Sequence, residues 1–471
     1  MNHPKTKIVV SLGPASEKPS TLTKLLLSGM NVCRLNFSHG NAEEHEKRLI
    51  CLREASQKTG IPVAVLQDLG GPKIRTGDFE HGQITLKKGQ TFTFVTKKIL
   101  GNEQSCFISY TNLPNEVKRG QVIFLDDGKK SLQVLSTKKD EIQCKVLTGG
   151  VIKSRRGVNI PGVRLKNITA LTEKDRDDVL FAIENCVDFV ALSFVQDAQD
   201  VKDLREILNL HASSAKIIAK IETSSAINHI DEIIEVCDGI MVARGDLAVE
   251  IPAEEVPIIQ KEIITKCNQL GKPVIVATQM LLSMVSSPRP SRAEVSDVAN
   301  SILDGADAVM LSDETTIGEY VTESVSMMAS IARHTEKHLV PKEYHRRTMH
   351  CSIDDAISHS ALEVAEEIDA KFIVALTESG RTARLISRFR PRQPIFTFSP
   401  NAHTRTQTLL SYGCFSYEAP SSQNIEDIIH SISDFLKTKR LAKKGEVFVL
   451  VAGIPFGKSG STNMILAQKI Q

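Results

Sequence analysis

The feature that most constrains this chain is a repeated unit: a short β-branched run that ends in polar or charged residues, followed by a helical stretch. Such runs begin near Ile8 (IVVSLG), Val32 (VCRLNFS), Val63 (VAVLQD), Phe189 (FVALSF), Ile217 (IIAKIE), Ile240 (IMVARGD), Val274 (VIVATQ) and Ala308 (AVMLSDE). Near-continuous apolar strands alternating with helices specify a parallel sheet covered on both faces. Eight such units close a (β/α)8 barrel. Successive starts lie 24, 31, 126, 28, 23, 34 and 34 residues apart, so the third interval is about 95 residues longer than its neighbours. That excess is enough for a domain. Residues 76–160 change character accordingly, with alternating strands such as QTFTFV and QVIFLDD separated by turn signals at Lys88-Gly89 and Asp127-Gly128. This pattern reads as a small β-barrel cap inserted into the barrel. The barrel then comprises 1–75 and 161–341. A charged linker at Lys342 to Arg347 opens a third domain, 342–471. There a helix near Ile353 to Glu367 and the runs FIVALT, PIFTFS and VFVLVAG read as an α/β sandwich of parallel strands and helices.

Composition excludes several classes. With 58 Lys+Arg against 56 Asp+Glu the formal charge is +2, and neither half carries a charged block, which argues against nucleic acid as a partner. No apolar run approaches the roughly 18 to 20 residues that cross a bilayer. Met1 to Lys7 are polar and lack the succession of a secretory signal. The nine cysteines are odd in number, scattered and never spaced C-x-x-C, which fits a reducing, cytoplasmic location better than a disulfide framework or structural zinc.

A barrel of this kind places its site at the C-terminal ends of the strands. Here strand two ends in Arg34, Asn36 and Ser38, strand three in Asp68, strand five in Lys220 and Glu222, strand six in Arg244 and Asp246, strand seven in Thr278, and strand eight in Ser312 and Glu314. One charged strand end is commonly a structural ion pair. Six strands ending alike point to chemistry. Glu222 and Asp246 come from adjacent strands and suit a hard divalent cation with open positions for substrate oxygens. Lys220 lies two residues from Glu222 and so shares its face of the strand. Two cations, Lys220 and Arg34, beside a metal make a site for phosphoryl transfer, whose transition state spreads negative charge over oxygens.

The chain resembles pyruvate kinase over essentially its whole length. The resemblance is carried by RLNFSHG (Arg34 to Gly40), DLGGPKIRTG (Asp68 to Gly77), RRGVNIPG (Arg155 to Gly162), LTEKD (Leu171 to Asp175), IIAKIE, VARGDLAVE (Val242 to Glu250), ATQML (Ala277 to Leu281), RAEVSDVAN (Arg292 to Asn300) and LDGADAVMLSDET (Leu303 to Thr315). It implies transfer of the phosphoryl group of phosphoenolpyruvate to ADP, giving pyruvate and ATP, by a cytoplasmic homotetramer with a regulatory C-terminal domain. It implies Glu222 and Asp246 as ligands of Mg²⁺, with Mn²⁺ as an alternative, and Lys220 and Arg34 on the transferring phosphoryl group. Thr278, with Ser312 nearby, is implied in substrate binding and proton delivery, and Ala243, Arg244 and Gly245 beside Asp246 in substrate binding. Asn36, His39, Arg75, Asp127 and Arg156 are implied on the nucleotide side, although the family usually has Lys at the position of Arg156. A metal-dependent lyase on the same barrel would not need the cap, and a sugar-phosphate sensor would not need intact catalytic positions.

Three departures from the family pattern stand out. The family's monovalent-cation site maps to Asn36, Ser38, Asp68 and Leu69, but potassium-requiring members have Thr and Glu where this chain has Leu69 and Lys73. A Lys ammonium is a compact fixed cation. Lys73 is therefore expected to replace K⁺ near Asn36, Ser38 and Asp68, making the enzyme independent of K⁺. Asp313 and Thr316-Ile317 replace Gly and Ala-Lys beside Ser312. In the C-terminal domain Thr377, Ser379, Gly380, Arg381 and Thr382, with Lys458, Ser459 and Gly460 opposite, resemble the effector phosphate loops. Glu378 stands where members activated by a sugar bisphosphate often have Lys, which favours a sugar monophosphate or nucleoside monophosphate as activator. The same stretch also fits an ordinary helix N-cap by Ser379 or Thr377.

Overall fold

Eight parallel strands close into a barrel in the computed structural model, which describes residues 3–163, 169–341, 352–422, 424–456, 460 and 462–471. The linker expected at 342–347 and the effector-loop residues Lys458 and Ser459 lie outside the described residues. The barrel strands are Lys7–Ser11, Val32–Asn36, Ala64–Asp68, Phe189–Leu192, Lys216–Ile221, Gly239–Ala243, Val274–Ala277 and Ala308–Leu311. The first strand closes the ring by pairing with the eighth. Their order and parallel sense are those expected from the repeat.

Side chains alternate between two cores, as a two-residue period requires. Val9, Val32, Leu66, Phe189, Ile218, Met241, Ile275 and Met310 fill the barrel interior. Ile8, Val10, Cys33, Val65, Val190, Ile217 and Val242 face outward and pack under the surrounding helices. The interior is completed from below by Leu409 and Leu410, which belong to the C-terminal domain and are 4% and 0% exposed.

Register decides where the polar strand ends meet. Ser11 is level with Arg34, Asn36 with Asp68, Asp68 with Ala191, and Ala243 with Ala277. The C-terminal rim thus brings the polar strand ends level with one another. Helix Arg292–Asp304 steadies one sector of it. Its capping box of Ser291 and Glu294 satisfies the helix start, and the Glu294 carboxylate also accepts from the Ser283 amide at 2.7 Å, tying down the loop after the seventh strand.

The cap has its own core, in which Phe92, Phe94, Ile123, Leu132 and Ile142 are buried between a six-stranded and a two-stranded sheet. Two strands of chain join it to the barrel, held by the Val158 amide on the Ile74 carbonyl at 2.9 Å and the Thr76 amide on the Arg156 carbonyl at 2.9 Å.

The C-terminal domain is a five-stranded sheet. Its strands Phe372–Leu376, Ile395–Ser399 and Val447–Gly453 are parallel as expected, and Cys414–Glu418 and Thr462–Lys469 join the edges, the last antiparallel. The domain docks on the barrel floor. Arg390 pairs with Asp307 at 2.7 Å, the Tyr412 amide donates to Asp307 at 2.9 Å, and Thr406 donates to Asp188. Lys7, at the foot of the first strand, donates to the Cys414 carbonyl at 2.5 Å. Among the described residues no helix is long and apolar enough to cross a membrane.

Candidate active site

Asp68 is the pivot of the site. It is fully buried at the end of the third strand, where one carboxylate oxygen accepts from Arg34 Nε at 2.6 Å and the other stands 3.1 Å from Lys220 Nζ. Burial alone pushes the Asp68 carboxyl up, but Lys220 and Arg34 outweigh it and hold it below the ordinary carboxylate range. Arg34 also donates to Ser11 Oγ at 2.8 Å. Lys220 donates to Ser193 Oγ at 2.7 Å and pairs with Glu222 at 3.0 Å. Burial pulls the Lys220 ammonium down, but Asp68 and Glu222 more than compensate, so it remains cationic.

Ser193 was not anticipated. It ends the fourth strand, and the polar-strand-end rule applied to FVALSF finds it. It donates to the Leu69 carbonyl at 2.7 Å and so links the third and fifth strands. The next residue, Phe194, has φ +55° and turns its amide onto Glu222 Oε2 at 2.8 Å. Burial pushes Glu222 above the usual carboxylate range against the pull of Lys220, and the Asp246 charge adds to the push.

Asp246 lies in the first turn of helix Arg244–Glu250, where the helix dipole favours a carboxylate. Lys73 Nζ pairs with it at 3.0 Å. Lys73 was expected beside Asn36, Ser38 and Asp68. The chain instead turns at Gly71, φ +65°, and carries the ammonium to Asp246. Asp68, from the same expected cation set, is committed to Arg34 and Lys220, while Leu69 is fully buried with its amide on the Ala191 carbonyl at 3.0 Å. Asn36 Oδ1 accepts from the Ser38 amide at 3.1 Å, and Ser38 and His39 are exposed.

Thr278 occupies the left-handed region at φ +73°, an uncommon conformation for a β-branched residue. Two contacts impose it. Thr278 Oγ1 accepts from the Gly245 amide at 2.8 Å, and its carbonyl accepts from Arg244 Nη2 at 2.9 Å. Arg244 is itself fixed by Asp297 at 2.6 Å, on the helix after the seventh strand. Arg244 is thus engaged in a scaffold, and Asp297 is a second residue that sequence reasoning missed. Ala243, just before it, is buried at the strand end.

A cleft of about 860 Å³ opens between the barrel rim and the cap, its wall including Lys73, Asp127, Asp246, Thr278, Ser312 and Asp313. Asn36, His39, Arg75 and Arg156 are not among its described lining residues. Arg75 donates to the Arg155 carbonyl at 3.4 Å, and Arg156 faces Asp126 at 3.6 Å. Ser312 is held by its amide, which donates to Glu314 at 2.7 Å.

In the C-terminal domain Thr377, Ser379, Arg381, Thr382 and Gly460 line a cavity of about 200 Å³ together with Glu378. Gly380, φ +78°, is the N-cap of helix Arg381–Ser387 and has no side chain with which to cap it. Thr382 and Thr462 hydroxyls meet at 2.6 Å across the two loops.

A family model described as the pyruvate kinase barrel domain matches residues 3–325, and one described as the pyruvate kinase alpha/beta domain matches residues 355–466. The chain is 46% identical to a pyruvate kinase of Geobacillus stearothermophilus over 467 residues, covering 98% of this chain and 79% of the relative. It is 42% identical to that of Clostridium perfringens over 473 residues, covering 99% and 100%. A crystal structure of a pyruvate kinase from Cryptosporidium parvum superposes with a TM-score of 0.91 at 38% identity, covering 99% of this chain and 96% of the other. The fold, the polar rim and these likenesses agree: the chain belongs to the pyruvate kinase family and is a phosphotransferase.

Proposed function

We propose that the chain moves the phosphoryl group of phosphoenolpyruvate onto ADP at the rim of the barrel, with Mg²⁺ on Glu222 and Asp246, with Lys220 and Arg34 on the phosphoryl group, and without K⁺. The observation that carries the assignment of roles is the Lys220 ammonium, held within 3.1 Å of both Asp68 and Glu222 and donating to Ser193. An ammonium fixed in place by two buried carboxylates needs no reorganisation when charge develops beside it.

The donor set suits a divalent metal. Glu222 is raised by burial and by its neighbour Asp246, a cost that a cation between the two removes, and Asp246 already holds a cationic group in Lys73. Two carboxylates leave the remaining positions of a divalent ion to substrate oxygens and water. When bound, the metal supplies charge neutralisation for the phosphate and the enolate. Arg34 and Lys220 orient the phosphoryl group, Thr278 and Ser312 stand at the cleft wall where pyruvate enolate takes its proton, and Asp127 of the cap closes over the nucleotide.

Independence of K⁺ is supported by Lys73. Its ammonium is a fixed cation paired with Asp246, on the metal side of the site rather than beside Asn36, Ser38 and Asp68. The cavity beside Thr377, Ser379 and Arg381 is proposed for a phosphorylated activator, a monophosphate given the carboxylate of Glu378 in its wall. A homotetramer is proposed from the family resemblance. The deciding experiment is pyruvate formation from phosphoenolpyruvate, ADP and Mg²⁺ in K⁺-free buffer and again with K⁺. High turnover in both supports the whole reading, turnover only with K⁺ discards the part given to Lys73, and none in either discards the assignment of roles.

A further inference from the structure

A second cavity, of about 170 Å³, lies at the opposite end of the molecule, between the barrel floor and the C-terminal domain. Its barrel wall contributes Lys216, Asp238 and Lys272, and the C-terminal domain contributes Arg381, Arg384 and Gln407. Four cations therefore face one carboxylate, and that carboxylate is already engaged. Asp238 pairs with Arg205 at 2.5 Å, stands 3.8 Å from Lys216 and accepts from the Ile217 amide at 2.9 Å.

Arg381 is paired with Asp354 at 2.7 Å and Lys216 faces Asp238 at 3.8 Å, which leaves Arg384 and Lys272 under-used. Arg384 spends one N–H on the Ser379 carbonyl at 3.1 Å and, among the described residues, forms no close ion pair, the carboxylate that acts on it being Asp238 across the same cavity. Lys272 donates to the Glu235 and Cys237 carbonyls at 3.0 and 2.6 Å, which anchors its ammonium without neutralising it. Burying a guanidinium in a concave wall without a close anion of its own is costly. A planar guanidinium opposite an anchored ammonium is suited to the oxygens of a phosphoryl group.

We propose that this cavity binds a dianionic phosphoryl group, inorganic phosphate or the phosphate of a small monoester, between Arg384 and Lys272. It is separate from the cavity beside Thr377 and Ser379, with which it shares only Arg381. An anion here would bridge the two domains across their interface. Phe189, Leu270 and Leu385 give the remaining wall apolar character, so the organic part of an ester would lie against them.

The test is calorimetric titration of the full chain with inorganic phosphate, in Mg²⁺-free buffer at ionic strength held constant with sodium chloride. Wild type and the Ser379→Ala variant are expected to share a phosphate-binding component that weakens about tenfold or more in Arg384→Met and in Lys272→Met. The melting temperature of each variant checks that it is folded, and Lys272→Met decides the matter if Arg384→Met is not. Retention of the component in both cation variants, its absence from wild type, or its loss in Ser379→Ala alone would overturn the proposal. Repeating the titration with glucose 6-phosphate separates a free phosphate site from one that accepts an ester, and both outcomes support a phosphoryl site.

Discussion

Lys73 and Asp246 form an ion pair, 3.0 Å from ammonium to carboxylate, joining the base of the cap to the first turn of the helix after the sixth strand. Both side chains are about a quarter exposed, so the pair itself adds little stability. Its weight is in charge placement, since a fixed cation stands where a proposed metal ligand and the substrate meet.

Lys73→Glu should therefore convert the enzyme to one that needs a monovalent cation. Turnover in K⁺-free buffer is expected to fall at least tenfold and to recover when K⁺ is added. Full activity in the absence of K⁺ would separate Lys73 from cation dependence.

Lys220→Met leaves the carboxylates of Asp68 and Glu222, each about 1% exposed, without their shared cation. Breaking a buried pair in this way costs roughly 3 kcal/mol. The variant should show a lower melting temperature, with turnover reduced by about a thousandfold or more. Near-normal turnover would remove Lys220 from the mechanism.

Thr278→Gly sets two effects against each other. Glycine relieves the left-handed backbone by about 1 kcal/mol, while loss of Oγ1 leaves the Gly245 amide without its acceptor at a similar cost. Stability should change by less than about 1 kcal/mol, and kcat should fall about a hundredfold. A large stability loss with unchanged kcat would make Thr278 a structural residue.

Asp188, at the foot of the fourth strand, is pushed up to about 6 by burial, against the bonds it accepts from Thr406 and the Val65 amide. A raised carboxylate binds its proton more tightly in the folded chain than in the unfolded one. Stability should thus fall as pH rises from about 4 to about 6 and level off above that. Asp188→Asn, which mimics the protonated acid, should abolish this slope and raise the melting temperature at pH 7. An unchanged slope in chemical denaturation between pH 4 and 7 would show that other groups set it.

The barrel was legible because its strands are buried on both faces and so lack the alternation of an exposed sheet, and because the interval before Phe189 is too long for one helix. The rim was legible because strand direction is given by the following helix, and polar residues at those ends have one place to go. What a strand end could not reveal was the partner of a long side chain. Lys73 has a four-carbon stem after a glycine turn, and its ammonium went to Asp246. Ser193 and Asp297 act by holding other groups, Lys220 in one case and Arg244 in the other, so neither bears a charge pattern that marks a site. The outer strands Cys414–Glu418 and Thr462–Lys469 are half exposed, and their mixed composition hid them from a search for apolar runs.

Leu409 and Leu410 sit in the barrel's lower interior, and this has a consequence for biosynthesis. The first strand can pair with the eighth only after some 300 residues have been made, because Lys7 to Val10 meet Ala308 to Leu311. Even then the floor stays open until residues 409 and 410 leave the ribosome. A nascent chain arrested before that point carries an apolar barrel mouth into the cell, a surface for chaperones to recognise. The barrel and the C-terminal domain are in this sense one folding unit, and a gene fragment encoding the barrel alone should yield an aggregation-prone product.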